Sequence, residues 1–174
     1  MTMSPGMRKL ALTAHVVSSV GWLGAVASTI ALAVVALSSD DLQLVRAAYL
    51  AMEPTGWFAL LPLSLASLLT GLVQSLGTAW GLFRHYWVLF KLLINVVASI
   101  VLLLYMETLG FFADLAAQET WSSADLGVLR SPSPMLHATL ALMLLVAAAT
   151  LSVYKPRGMT RYGWRKQREL LAGT

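Results

Sequence analysis

Three histidines, a lysine inside an apolar run and scattered methionines are the side chains with chemistry to offer in this chain. His15 lies in a run from Leu10 to Leu37 that contains no Asp, Glu, Lys or Arg. An ionisable group in such surroundings is costly and tends to be functional. Imidazole is a common axial ligand of haem iron, and His85 offers a second one. A separate set comprises Met52, Met106, Met135 and His137. Thioether and imidazole ligands suit copper, especially the reduced ion. The absence of cysteine excludes disulfides, thiolate metal sites, iron–sulfur clusters and thiol catalysis.

Each of these residues also has a plain structural reading. His15 can hydrogen-bond within a helix bundle, and His85, beside Tyr86 and Trp87, suits a headgroup boundary where amphipathic rings are favoured. Lys91 can snorkel, and methionines fill gaps in packing. Neither a G-x-S-x-G elbow, a phosphate loop nor an H-E-x-x-H motif occurs, so no enzyme class is indicated.

The elements that must position these groups are transmembrane helices. The chain has 174 residues, of which 58% are hydrophobic and 11% charged. A helix needs about 20 apolar residues to cross the hydrocarbon of a bilayer. Four spans are expected, at about 10–37, 55–82, 86–112 and 134–154, within a single membrane domain covering 1–174. The first resembles a secretory signal, with Arg8, Lys9 and an Ala25-Val26-Ala27 site. Its apolar run continues past Ala27, so it reads as a retained helix.

Periodicity shows which faces point inward. In the first span Ala14, Ser18, Gly21, Ala25 and Ser28 make a row of small side chains beside His15, Ser19, Trp22, Val26 and Thr29. Small rows permit close helix packing, and lipid offers His and Ser no partners. The second span repeats the pattern with Ser64, Ser67, Gly71, Gln74, Thr78 and Gly81, and Pro62 predicts a kink near its start. Gln74 reads either as a cross-helix hydrogen bond or as the lining of a cofactor site. Residues 42–52 are too polar to span and read as a short amphipathic helix on the membrane surface. In the third span Lys91, Asn95, Ala98, Leu102 and Tyr105 share one face. The first and third spans can be neighbours in a four-helix bundle, which would bring His15 and His85 to one level.

Charge gives the orientation. With both termini inside, every basic residue except Arg46 and Arg130 falls on the cytoplasmic side, and every acid except Glu169 falls outside. That is a strong positive-inside signal, and it argues against a nucleic-acid surface. The fold class is therefore all-α, a polytopic membrane four-helix bundle of the inner (plasma) membrane. Residues 155–174 read as a basic, partly disordered cytoplasmic tail that favours anionic lipid.

Motifs carry a resemblance. His15-Val16-Val17-Ser18-Ser19-Val20-Gly21-Trp22-Leu23-Gly24, Tyr86-Trp87-Val88-Leu89-Phe90-Lys91-Leu92-Leu93 and Leu151-Ser152-Val153-Tyr154-Lys155-Pro156-Arg157-Gly158 together resemble a family of uncharacterised bacterial four-helix membrane proteins. More distantly, the first-span histidine with Trp-x-Gly and the third-span Trp-to-Lys-Leu pattern are similar to the copper-resistance D family and to HemJ-type protoporphyrinogen oxidases. In the oxidases a first-helix histidine and a third-helix lysine are associated with haem binding and activity, and the matching positions are His15 and Lys91. Where those oxidases carry a second histidine motif, Tyr105-Met106-Glu107 stands here. The resulting expectation is haem b held by His15, with His85 as a second ligand and with Lys91 and Trp22 shaping the pocket. Transport or metal handling, with copper at Met52, Met106, Met135 and His137, is the alternative. A third reading is a structural subunit whose small-residue faces pack on another copy or another membrane protein.

Overall fold

Several helices begin where the sequence supplies a cap. Ser4 accepts from the Met7 N–H ahead of Pro5, and Asp41 accepts from the Gln43 N–H at 2.8 Å. Ser122 and Asp125 close a reciprocal capping box. The computed structural model describes residues 3–78 and 81–172, and among these it is helical, without strands. The helices are α1 (Pro5–Ser38), α2 (Leu42–Thr55), α3 (Leu61–Gly77), α4 (Tyr86–Ala117), α5 (Ser123–Leu129), α6 (Ser133–Tyr154) and α7 (Arg161–Ala172). Four stretches, Pro5–Ser38, Leu42–Gly77, Tyr86–Ala117 and Ser123–Tyr154, are long and apolar enough to cross a membrane. The expected second span reaches residue 82, but α3 ends at Gly77, and residues 79 and 80 lie outside the described ones. So do the last two residues of the tail.

Two elements differ from expectation. Residues 42–52 do not form a separate surface helix: α2 runs through a π turn, Gly56–Leu60, directly into α3. Val45, Ala48, Tyr49 and Met52 share one face and are each 2% exposed or less. That face packs on α1 and α4, leaving Gln43 exposed on the other side. The irregularity expected from Pro62 appears as the π turn just before it, where the Leu61 N–H reaches back to Gly56 O. Proline has no N–H, and its ring would strike the carbonyl four residues earlier, so a widened turn relieves the misfit. The tail also departs from expectation, for α7 is an ordered helix.

The bundle is square in section. α1 packs on α2, α3 and α6, and α4 packs on the same three, so α1 and α4 face one another across a diagonal and are not the adjacent pair that the sequence suggests. One core cluster joins Trp22 and Val26 of α1 to Leu60, Ala98 and Leu145. A second gathers Ala33, Tyr49, Met52, Met106, Phe112 and Leu129 at the opposite end. The start of α1, the end of α3, the start of α4 and the stretch before α7 meet at one end: the Met3 N–H donates to Gly77 O, and His85 bridges to Met159. This is the basic end; the other is the acidic end.

Candidate functional site: a histidine anchored between two helices

His15 sits ten residues into α1 on the row expected to face inward, and Ser19, Trp22, Val26 and Thr29 above it are half-buried or buried. The small row beside it is split: Ser18 is buried and Gly21 lies against Leu63, whereas Ala14 and Ser28 are exposed. The imidazole lies on α3. A methyl group on Gly71 would come within 3.2 Å of His15 Cε1, so the missing side chain makes room for the ring.

The ring's tautomer follows from its partners. His15 Nδ1 is 3.1 Å from Ser67 O and 3.1 Å from Thr70 Oγ1. A carbonyl only accepts, and the Thr70 hydroxyl donates to Ala66 O at 2.6 Å. The hydrogen is therefore on Nδ1, which leaves the lone pair of the neutral ring on Nε2. Ser19 and Ser67 hydroxyls pair at 2.8 Å one turn away, fixing the α1–α3 register around the histidine.

Lys91 comes to the same region from α4. It is half-buried, and its Nζ stands 5.8 Å from the centre of the Trp87 ring. Asn95, one turn further, donates to Lys91 O, but its Oδ1 is buried with no hydrogen-bond partner. Gln74 Nε2 and Ser99 Oγ are likewise buried and unpartnered. Native interiors pair such atoms with few exceptions, and an exception calls for a water, an ion or a ligand.

His85 is not at this level. It flanks the N-terminus of α4, with its ring 6.4 Å from that of Trp87 and its backbone bridged to the tail. His15 bonds to α3 at residues two turns or more before its end at Gly77. The two imidazoles are thus separated by about 10 Å along the bundle axis. Trp22, two turns along α1 from His15, is buried in the core with Val26, Leu60, Ala98 and Leu145.

The other predicted set is partly gathered. Met52 and Met106 are buried in the acidic-end core and Met135 packs against it. The Met106 sulfur and methyl lie against Gly56 in the π turn, where they would be 2.7 Å from an added Cβ. His137 is exposed, donates from Nδ1 to Ser133 O at 2.9 Å and stacks on Tyr105 with ring centres 4.0 Å apart. Among the described residues no group of three His, Cys, Asp or Glu could hold a metal ion.

Thr70 is the partner that sequence reasoning missed. It lies three residues from Ser67, and that spacing was its available signal. Arg46 and Arg130 are exceptions to the charge pattern in sequence, yet both reach helix ends. Arg130 donates to Ala36 O, Leu37 O and Ser39 O at the end of α1. Arg46 donates to Ala116 O and Gln118 O at the end of α4, with its guanidinium over Trp121.

Comparison with protein-family models, curated proteins and solved structures finds no match for this chain.

Proposed function

We propose that the basic half of the bundle binds haem b, with His15 Nε2 as a ligand to the iron. The observation that supports this is the anchored ring. A metal-ligating histidine characteristically donates its other N–H to a carbonyl or carboxylate, which fixes the tautomer and raises the basicity of the ligand nitrogen. His15 has that arrangement with Ser67 O.

The surrounding residues fit such a group. Lys91 supplies a cation for a propionate near the headgroups, and Gln74, Asn95 and Ser99 supply polar atoms that the protein leaves unpaired. Trp22 closes the apolar side. Bound haem would contribute one-electron chemistry and an iron that takes small ligands. His85 stands at a different depth, so this region would offer the group a single imidazole, which favours ligand sensing; electron transfer or other redox chemistry is the other use a bound haem would have. In this reading the basic end faces the cytoplasm of a plasma membrane, and Gly24, Ser28 and Ala31 on the exposed face of α1 are where a second copy or another subunit would pack. The likeness of His15 and Lys91 to the haem-associated positions of HemJ-type oxidases points the same way.

Copper handling is the competing reading, motivated by the convergence of Met52, Met106 and Met135. The packing of Met106 on Gly56 and the stacking of His137 on Tyr105 favour a packing role for these residues. Absorption spectra of detergent-purified protein from haem-supplemented cells, oxidised and then reduced, decide between the readings. A Soret band is expected in the wild type, shifted in Gly71→Ala and lost in His15→Ala. A flat spectrum in the wild type, with no haem uptake on reconstitution, overturns the proposal. Copper(I) binding lost in His137→Ala would then favour the metal-handling reading.

A further inference from the structure

The tail helix α7 is pinned against the base of the bundle. Thr160 donates from its hydroxyl to Phe83 O at 2.6 Å and from its N–H to Arg84 O at 3.0 Å, and its hydroxyl also accepts from the Gly163 N–H at 3.0 Å. A Cβ on Gly163 would lie 2.4 Å from Arg84 O, so only glycine lets the helix approach this closely. The loop that receives it leads directly into α4, a membrane-crossing candidate. α7 is therefore held at the level where the bundle leaves the hydrocarbon.

Its free surface matches that level. Arg161, Arg165 and Arg168 lie at helical spacing beside Trp164, and together with Glu169 they line an open concavity of about 550 Å³. Glu169 is engaged by Lys166 at 3.1 Å, and among the described residues no carboxylate pairs with the three arginines. Trp164 is 53% exposed, and Phe83, Tyr86, Tyr154 and Tyr162 are exposed around the same end. Exposed aromatic rings beside basic residues are what a headgroup layer selects. Guanidinium groups bind phosphate oxygens in a bidentate fork, so the charge complement is a phosphate.

We infer that α7 is an in-plane docking surface for anionic phospholipid headgroups, with Arg161, Arg165 and Arg168 engaging the phosphates and Trp164 entering the acyl boundary. This does not depend on haem. The helix lies along the membrane because Thr160 and Gly163 hold its start against the bundle, and the arginines hold its exposed face to the leaflet. Such amphipathic contacts combine buried apolar area with attraction to anionic lipid.

The chain has no cysteine, so Gln167→Cys carries a single spin label on the full-length protein. Its accessibility to oxygen and to a water-soluble nickel complex is read in nanodiscs of phosphatidylcholine alone and of phosphatidylcholine mixed with phosphatidylglycerol. The expected result is a shift of the label toward oxygen when phosphatidylglycerol is present. Each Arg→Gln change on α7 lowers the immersed-to-exposed ratio about fivefold, and the triple variant loses the shift. Removing the same charge at Arg8, Lys9 and Arg157 leaves the shift in place. Equal accessibility in both bilayers overturns the inference and leaves the face to a protein partner. Inorganic phosphate reproducing the change in pure phosphatidylcholine overturns it in favour of a soluble anion. Equal loss in the two triple variants overturns it in favour of bulk charge.

Discussion

At the acidic end, Arg130, Arg46 and Tyr49 all donate to carbonyls at helix ends, whereas in the basic half Gln74, Asn95 and Ser99 bury polar atoms that meet no protein partner. The two regions answer different surroundings. The Leu42–Gly77 rod has 36 residues, which at 1.5 Å per residue spans about 54 Å, while bilayer hydrocarbon is about 30 Å thick. The surplus lies at the acidic end, where Glu53, Glu107 and Asp114 interrupt the apolar character of the helices. There the bundle is built like a soluble protein. Tyr49 stacks on Phe112, its hydroxyl donates to Leu129 O at 2.6 Å, and Trp121 donates to Leu115 O. Guanidinium groups complete the final turns of α1 and α4, where carbonyls have no helical partner and the helix dipole favours positive charge. The two arginines that break the charge asymmetry are thus stability residues.

The basic half is less self-sufficient. Its core is a smaller set around Trp22, and its polar atoms are placed without being satisfied.

Three substitutions bear on this contrast. Arg130→Ala is expected to cost the most, about 3 kcal/mol, because three carbonyls at the end of α1 lose a charged donor. Reversible unfolding in mixed micelles measures it, and a loss below about 0.5 kcal/mol would remove the stapled-end account. Gly56→Ala is expected to cost about 2 kcal/mol by overpacking, since the new methyl meets Met106 in the π turn. Combining it with Met106→Val should restore part of that loss; strictly additive costs would mean that the contact is not the cause. Ser99→Ala is expected to change stability by less than about 0.5 kcal/mol, because its hydroxyl gives up no partner. A large destabilisation there would show that the basic half is as self-satisfied as the acidic end. Unchanged stability with weakened haem uptake would sharpen the division between them.

What the sequence determined by itself was the all-helical architecture, the four apolar stretches and the sorting of charge between two ends, because run length and composition are local properties. The inward row through His15, Trp22, Val26 and Thr29 was legible for the same reason, since period alone places residues on one face of a helix. Tertiary structure decided the rest. Residues 42–52 became the buried start of the second rod because Val45, Ala48, Tyr49 and Met52 found the faces of α1 and α4. His85 and His15 were separated in depth by where each helix begins and ends. The partners of His15, the carbonyls met by Arg46 and Arg130, and the seat of α7 on Arg84 all join residues far apart in the chain. Such contacts depend on the register and crossing of whole helices, which no short stretch of sequence contains.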